Sequence, residues 1–118
     1  MTKLTLTPAK FYRTETGNEP VRDWLRELGR IDRKTIGDDL QTVQLGWQTE
    51  LVGEPLVKSL GAGLFEVRST LPSRRISRVF FCIHAKEIVL LHAFIKKTQQ
   101  TPKRELELAG KRQKSLKN

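Results

Sequence analysis

The stretch LFEVRSTLPSRRISRVFFCIHAKEIVLLHAFI, residues Leu64–Ile95, repeats its apolar side chains with a period of two rather than 3.6. Turn-forming residues at Leu71-Pro72-Ser73 and Ala85-Lys86 divide it into three strands, Leu64–Ser69, Ile76–His84 and Ile88–Ile95. Connections this short leave no room for helical crossovers, so the strands form an antiparallel meander. Strand alternation then sorts the side chains onto two faces. One collects Phe65, Val67, Val79, Phe81, Ile83, Val89, Leu91, Ala93 and Ile95, carries no charge and has to be buried. The other collects Glu66, Arg68, Arg78, Phe80, Cys82, Leu90, His92, Phe94 and Lys96, and its charges need a reason.

The cover for the apolar face lies upstream. Val21, Trp24, Leu25, Leu28 and Ile31 fall at i, i+3, i+4, i+7 and i+10, one face of a helix that starts near Pro20 and is interrupted at Gly29. Ile36, Leu40, Val43 and Trp47 mark a second helix, with Asp38, Asp39 and Gln41 on its outer side. Trp24 and Trp47, being helix-spaced, belong to the core. Phe11–Thr14 reads as a short first strand ahead of a Gly17-Asn18 turn, and residues 48–63, with Gly53, Pro55, Gly61 and Gly63, read as a connecting loop. After the meander, Thr101 as N-cap and Pro102 as first helical residue begin a last helix that runs to about Leu116, with a thin stripe of Leu106, Ala109 and Leu116. The expected fold is α+β: an N-terminal strand and helical hairpin packed on an antiparallel sheet, with a C-terminal helix. A chain of 118 residues holds one such core, so residues 1–118 are expected to be a single domain.

Composition bounds the function. The net charge of +9 is unevenly placed: residues 1–60 carry nine Lys/Arg against nine Asp/Glu, residues 61–94 five against two, and residues 95–118 eight against two. An excess confined to the second half points to a polyanionic partner, nucleic acid or an acidic protein, beyond mere solubility. His84, Lys86, Glu87 and His92 break the longest apolar run well short of the roughly 20 residues of a membrane span. With no secretory signal pattern at the N-terminus either, a cytoplasmic protein without membrane contact is expected. Cys82 is the single cysteine and sits in an apolar run, which excludes an internal disulfide and a zinc cluster.

On the charged face, Arg68 and Arg78 from neighbouring strands, Lys96-Lys97 at the end of the last strand and Glu66 can converge on one basic site. Guanidinium groups suit a phosphate because the planar fork donates two hydrogen bonds and keeps its charge. A phosphodiester gains negative charge on the way to its transition state, so cations there accelerate cleavage as well as bind. The plain alternative is an Arg68–Glu66 surface pair with Arg78 solvated. His92 is the one histidine inside a strand and is open as general acid or base or as a hydrogen-bonded structural residue. The acidic residues and histidines lack metal-ligand spacing, and Gly61-Ala62-Gly63 is too short for a phosphate loop, so neither metal nor cofactor is expected.

Three segments together are distinctive: Lys58-Ser59-Leu60-Gly61-Ala62-Gly63-Leu64-Phe65-Glu66-Val67-Arg68, then Arg78-Val79-Phe80-Phe81, then His92-Ala93-Phe94-Ile95-Lys96-Lys97-Thr98-Gln99-Gln100-Thr101-Pro102. They resemble the phage-derived Gp49-like branch of the RelE/HigB toxins of type II toxin–antitoxin systems, strongly over about residues 58–112. The resemblance implies a RelE-like fold and a metal-free endoribonuclease, an mRNA interferase that cuts messenger RNA on the ribosome by attack of the ribose 2′-OH on the adjacent phosphate. By position it assigns Arg78 to the phosphate, Lys96 and Lys97 to the basic pair after the last strand, and Arg68 to the end of the preceding strand. Lys58, Arg74, Arg75 and Lys103 are the expected RNA-binding cations around this centre. The archetype has lysines where this chain has Leu64 and Glu66, and the only tyrosine is Tyr12, so Glu66, His92 and a lysine of lowered pKa all stay open as the general base. The implied partners are a cognate antitoxin with a helix-turn-helix DNA-binding domain, messenger RNA and the ribosome, with operator DNA reached only through the antitoxin. A ParE-like toxin, which shares the fold but inhibits DNA gyrase without cutting RNA, is the alternative.

Overall fold

Residues 6–49, 53–96 and 102–116 are described by the computed structural model, and they form an α+β arrangement. In chain order the elements are β1 (Ala9–Phe11), α1 (Pro20–Glu27), α2 (Arg30–Gly46), β2 (Val57–Gly61), β3 (Leu64–Leu71), β4 (Arg75–His84), β5 (Glu87–Lys96) and α3 (Lys103–Ser115). The strands make one sheet in the order β1-β5-β4-β3-β2. The meander expected from alternation is its centre, with β3, β4 and β5 antiparallel in sequence. Ala85 and Lys86 both adopt positive φ, 51° and 65°. Two such residues make the tight hairpin whose twist matches the flanking strands.

Both ends of the sheet differ from expectation. The first strand lies at Ala9–Phe11 instead of Phe11–Thr14 and runs parallel to β5, so the sheet is mixed. The segment read as loop up to Gly63 contains β2, which pairs Val57 with Val67 and Lys58 with Glu66. Only Val57 of β2 is buried, so the strand shows no apolar alternation to read. It reverses into β3 through Gly61, Ala62 and Gly63, all at positive φ, and glycine meets that demand at two of the three positions.

The helical hairpin covers the apolar face, as the spacing predicted. Val21, Ile36 and Val43 are buried against Val67, Val79, Phe81, Leu90 and Ala93, with Trp24, Leu25, Leu28 and Leu40 packed around them. Trp47 sets its ring edge-on to Phe65 and Phe81 at 5.0 and 5.4 Å between centroids. Each fully buried side chain of this size contributes about 1.5–3 kcal/mol. Ile31 does not join them and is 69% exposed. Helix α1 ends at Glu27 and α2 begins after Gly29, so the break restarts the helical phase and turns Ile31 to solvent.

A bulge in β5 makes the largest correction to the sheet. Phe80 pairs with His92 but Phe81 pairs with Leu90, which leaves Leu91 as an extra residue. The parity of β5 therefore reverses there. Ile88 and Leu90 join the core under α1 and α2, while Val89 and Leu91, expected on that side, pack on the opposite face. On that opposite face a second core forms from Leu64, Phe80, Cys82, Val89 and Leu91 beneath Ala109 of α3, flanked by Tyr12, Leu60, Phe94, Leu106 and Leu116. The thin stripe of α3 is thus enough to dock it. Pro102 precedes the first helical residue, Lys103, and Thr101 lies outside the described residues. Among the described residues no helix is long and apolar enough to cross a membrane.

Candidate active site

Register fixes the layout of the charged face. Lys58, Glu66, Phe80 and His92 lie in one row across β2 to β5, Arg68, Arg78 and Phe94 in the next, and Thr70, Ile76 and Lys96 in the third. Glu66 is wholly buried, and Arg78 and Lys96 are 6% and 8% exposed. The Arg78 guanidinium donates to Glu66 Oε1 at 2.5 Å, and Arg68 Nε stands 3.9 Å from the same oxygen. Glu66 Oε2 and Arg78 Nε, both buried, have no hydrogen-bond partner. A lone carboxylate at this depth would be costly, and the ion pair with Arg78 offsets that cost.

Around that pair the cations outnumber the carboxylate. Lys96 is held below the usual lysine range, first by the burial of its ammonium and then by repulsion from Arg78, Arg68 and Lys58, against the attraction of Glu66. Three cations and one acid therefore act on the Lys96 ammonium. Arg68, with a third of its side chain exposed, and Lys58, exposed on β2, form the rim. Arg78 and Glu66 form the floor. Such a basin can hold a phosphate and stabilise charge that develops on it.

The other expected residues are elsewhere. His92 is bonded through Nε2 to Glu105 of α3, and Arg112 approaches its Nδ1 at 3.5 Å while donating to Leu91 O at 2.8 Å. Phe80 stands between His92 and Glu66 in their row, so the histidine is not brought into the cation cluster. Arg75 opens β4 instead of lying in the turn before it, and grips Asp32 of α2 with both terminal nitrogens at 2.6 and 3.0 Å. That pairing draws the Asp32 carboxyl below its ordinary range and raises Arg75. Arg74 is exposed in the turn at φ 60°. Lys103 is exposed at the start of α3, 3.8 Å from Glu107. Lys97 lies outside the described residues. Among the described residues no three metal-ligating side chains gather.

The polar contacts that position α3 were not singled out from the sequence. The Tyr12 hydroxyl and Ser115 Oγ are 2.9 Å apart, the Arg112 guanidinium covers the Tyr12 ring at 5.6 Å, and Gln113 donates to Ala62 O. Tyr12 and Arg112 stand at opposite ends of the chain, and no spacing rule could have joined them.

With the geometry in place, comparison with known families is decisive on one point. Residues 23–114 match the family described as phage-derived protein Gp49-like. The chain belongs to that family. Gp49-like proteins are a RelE-like family of toxin–antitoxin toxins, and the match spans every residue named above for the cation cluster, from Lys58 to Lys96. A cognate antitoxin is the partner that membership in a toxin–antitoxin family implies. No curated protein matches the chain.

Proposed function

We propose that this Gp49-like toxin is an endoribonuclease that cleaves messenger RNA on the ribosome without a metal ion. The observation that carries the reading is the cluster of Lys58, Arg68, Arg78 and Lys96 around the single acid Glu66. Lys58 and Arg68 at the rim meet the scissile phosphate, and Lys96, with Lys97 beside it in sequence, adds positive charge. Arg78 contributes charge from beneath while its bond to Glu66 holds the floor in place. The 2′-oxygen forms its bond to phosphorus as the bond to the 5′-oxygen breaks. The 2′-OH proton passes to a base, for which Lys96 and Glu66 are the two groups at hand, and the departing 5′-oxygen takes up a proton. His92 serves as an anchor for α3 rather than as that base. The strongly basic C-terminal segment provides a surface for an acidic antitoxin, which complementary charge would recruit quickly and in a salt-sensitive way.

Pulse labelling after induction tests the reading. Protein synthesis is expected to fall before DNA synthesis, and purified ribosomes with the toxin are expected to yield cut messenger RNA. Removing one charge-stabilising donor typically lowers rate about 10²–10³-fold, so Arg68→Ala should cut poorly while remaining folded. DNA synthesis failing first, as for a gyrase poison, or full toxicity from a folded Lys58→Ala/Arg68→Ala protein, would overturn the proposal.

A further inference from the structure

Among the described residues the sheet has an open edge next to the cation cluster. Strand β2 pairs with β3 only as far as Val57 with Val67, after which the Arg68 N–H donates to Leu56 O at 2.8 Å, whereas β3 continues to Leu71. In an antiparallel ladder alternate residues turn their N–H and C=O to the same side. Thr70 therefore presents its peptide groups to the edge that Arg68 uses, past the end of β2. A cleft of about 440 Å³ opens there, walled by Thr35 and Asp39 of α2, by Leu56, and by Arg68, Thr70 and Ile76. Its size falls in the range of small-ligand sites.

Asp39 is the informative wall. The residue is half-buried, lines the cleft, and makes no ion pair or hydrogen bond among the described residues, although Arg68 lines the same space. An ionised carboxylate only accepts hydrogen bonds. Among its walls the cleft thus offers two acceptor oxygens from Asp39, apolar surface from Leu56 and Ile76, and the guanidinium of Arg68. A nucleotide carries the matching set of groups: a base edge with donors, a flat ring and a phosphate. Among the four RNA bases guanine alone sets two N–H donors side by side, N1–H and N2–H, so that both carboxylate oxygens can be used at once. Adenine and cytosine place an acceptor nitrogen beside their amino group, and uracil has a single N–H between two carbonyls. The Thr70 N–H adds a donor suited to guanine O6.

We infer that this cleft is a guanine-reading site, in which Asp39 selects the base of the nucleotide whose phosphate is held at Arg68. The inference rests on the RNA-cleaving reading above and adds to it a base preference. Its test has two arms. In the first, 3′-GMP, 3′-AMP, 3′-CMP and 3′-UMP are titrated into isotope-labelled wild-type and Asp39→Asn toxin. A bidentate base contact discriminates by about tenfold or more, so 3′-GMP is expected to bind at least that much more tightly and to shift the Thr35, Leu56 and Thr70 amides. Asp39→Asn should lose the preference but keep weak phosphate binding. In the second arm, cleavage of one messenger RNA on ribosomes is mapped: wild type should cut beside guanines, and the cuts made by Asp39→Asn should be spread over positions without regard to guanine. Equal binding of the four nucleotides, or the same cleavage map for both proteins, overturns the base site while leaving the nuclease intact. Preferential 3′-GMP binding at the cleft with no RNA cleavage by either protein would instead overturn the nuclease reading and leave the base site standing.

Discussion

Strands β3, β4 and β5 present one face of the sheet to two different surroundings. At the end nearer the β4–β5 hairpin, Leu64, Cys82, Val89 and Leu91 lie beneath α3, and polar side chains there pair with one another or with backbone: His92 with Glu105, Arg112 with Leu91 O, Tyr12 with Ser115. Toward the other end the same strands set out Arg68, Arg78, Thr70 and Lys96 around one buried acid. The backbone is common to both, so the difference lies in side chains and in what covers them. Where the side chains are apolar, a helix with a stripe of three residues suffices to bury them. Where they are cations in excess of acids, burial without a counter-charge would cost several kcal/mol per ion, and that end is where the proposed function places an anionic substrate.

The comparison can be broken from the charged end first. Arg78→Met strands the buried Glu66 without a partner, and breaking such a pair costs about 3–5 kcal/mol; chemical denaturation should show that loss. Glu66→Gln/Arg78→Met should recover a large part of it. A single variant as stable as wild type would mean the floor of the cluster does not depend on the pair.

The two halves of the β5 bulge give a sharper test. Leu90→Ala and Leu91→Ala should each cost about 2–5 kcal/mol, but in different places. Hydrogen exchange should quicken in α1 and α2 for Leu90→Ala and in α3 for Leu91→Ala. The reverse assignment, or one response for both, would contradict the parity change.

The covered end should respond less to polar changes. His92→Gln removes a hydrogen bond to Glu105 and is expected to cost about 1 kcal/mol, to speed exchange in α3, and to leave RNA cleavage chemistry in place. Loss of all cleavage from a stably folded His92→Gln protein would return the histidine to the reaction.

The smallest effect belongs to Arg75 and Asp32 on the helix side. Because the Asp32 carboxyl is drawn below its ordinary value, chiefly by the Arg75 hydrogen bond, its stabilisation is complete above the ordinary aspartate pKa of about 3.9 and lost as pH falls through the lower folded value. Asp32→Asn should therefore lower the melting temperature slightly at neutral pH and not at all in strong acid. An undiminished difference in strong acid would assign it to something other than ionisation.

Much of this was readable from residue order. Alternation in residues 64–95 located three strands and the mixed composition of one face, and helix spacing located α1 and α2. The bulge was not readable, because Val89, Leu90 and Leu91 are all apolar and fit either parity until packing decides. Strand β2 was hidden because one buried residue in five makes no period. In the candidate site, the proximity of Glu66, Arg68, Arg78 and Lys96 followed from register. The role of His92 did not, since its partners Glu105 and Arg112 reach it only when α3 docks. Arg75 and Arg78 illustrate the same limit: three residues apart on one strand, they point to opposite faces, and only α2 supplies Asp32 to one of them.

The central claim is that the open, cationic end of this face drives attack by the 2′-OH on the adjacent phosphate. The end groups of the cut RNA test it most directly. Purified toxin acting on ribosome-bound messenger RNA in the presence of EDTA should leave an upstream fragment ending in a 2′,3′-cyclic phosphate or its 3′-phosphate, and a downstream fragment beginning with a 5′-hydroxyl, as read by mass spectrometry. An upstream fragment ending in a 3′-hydroxyl would contradict the account.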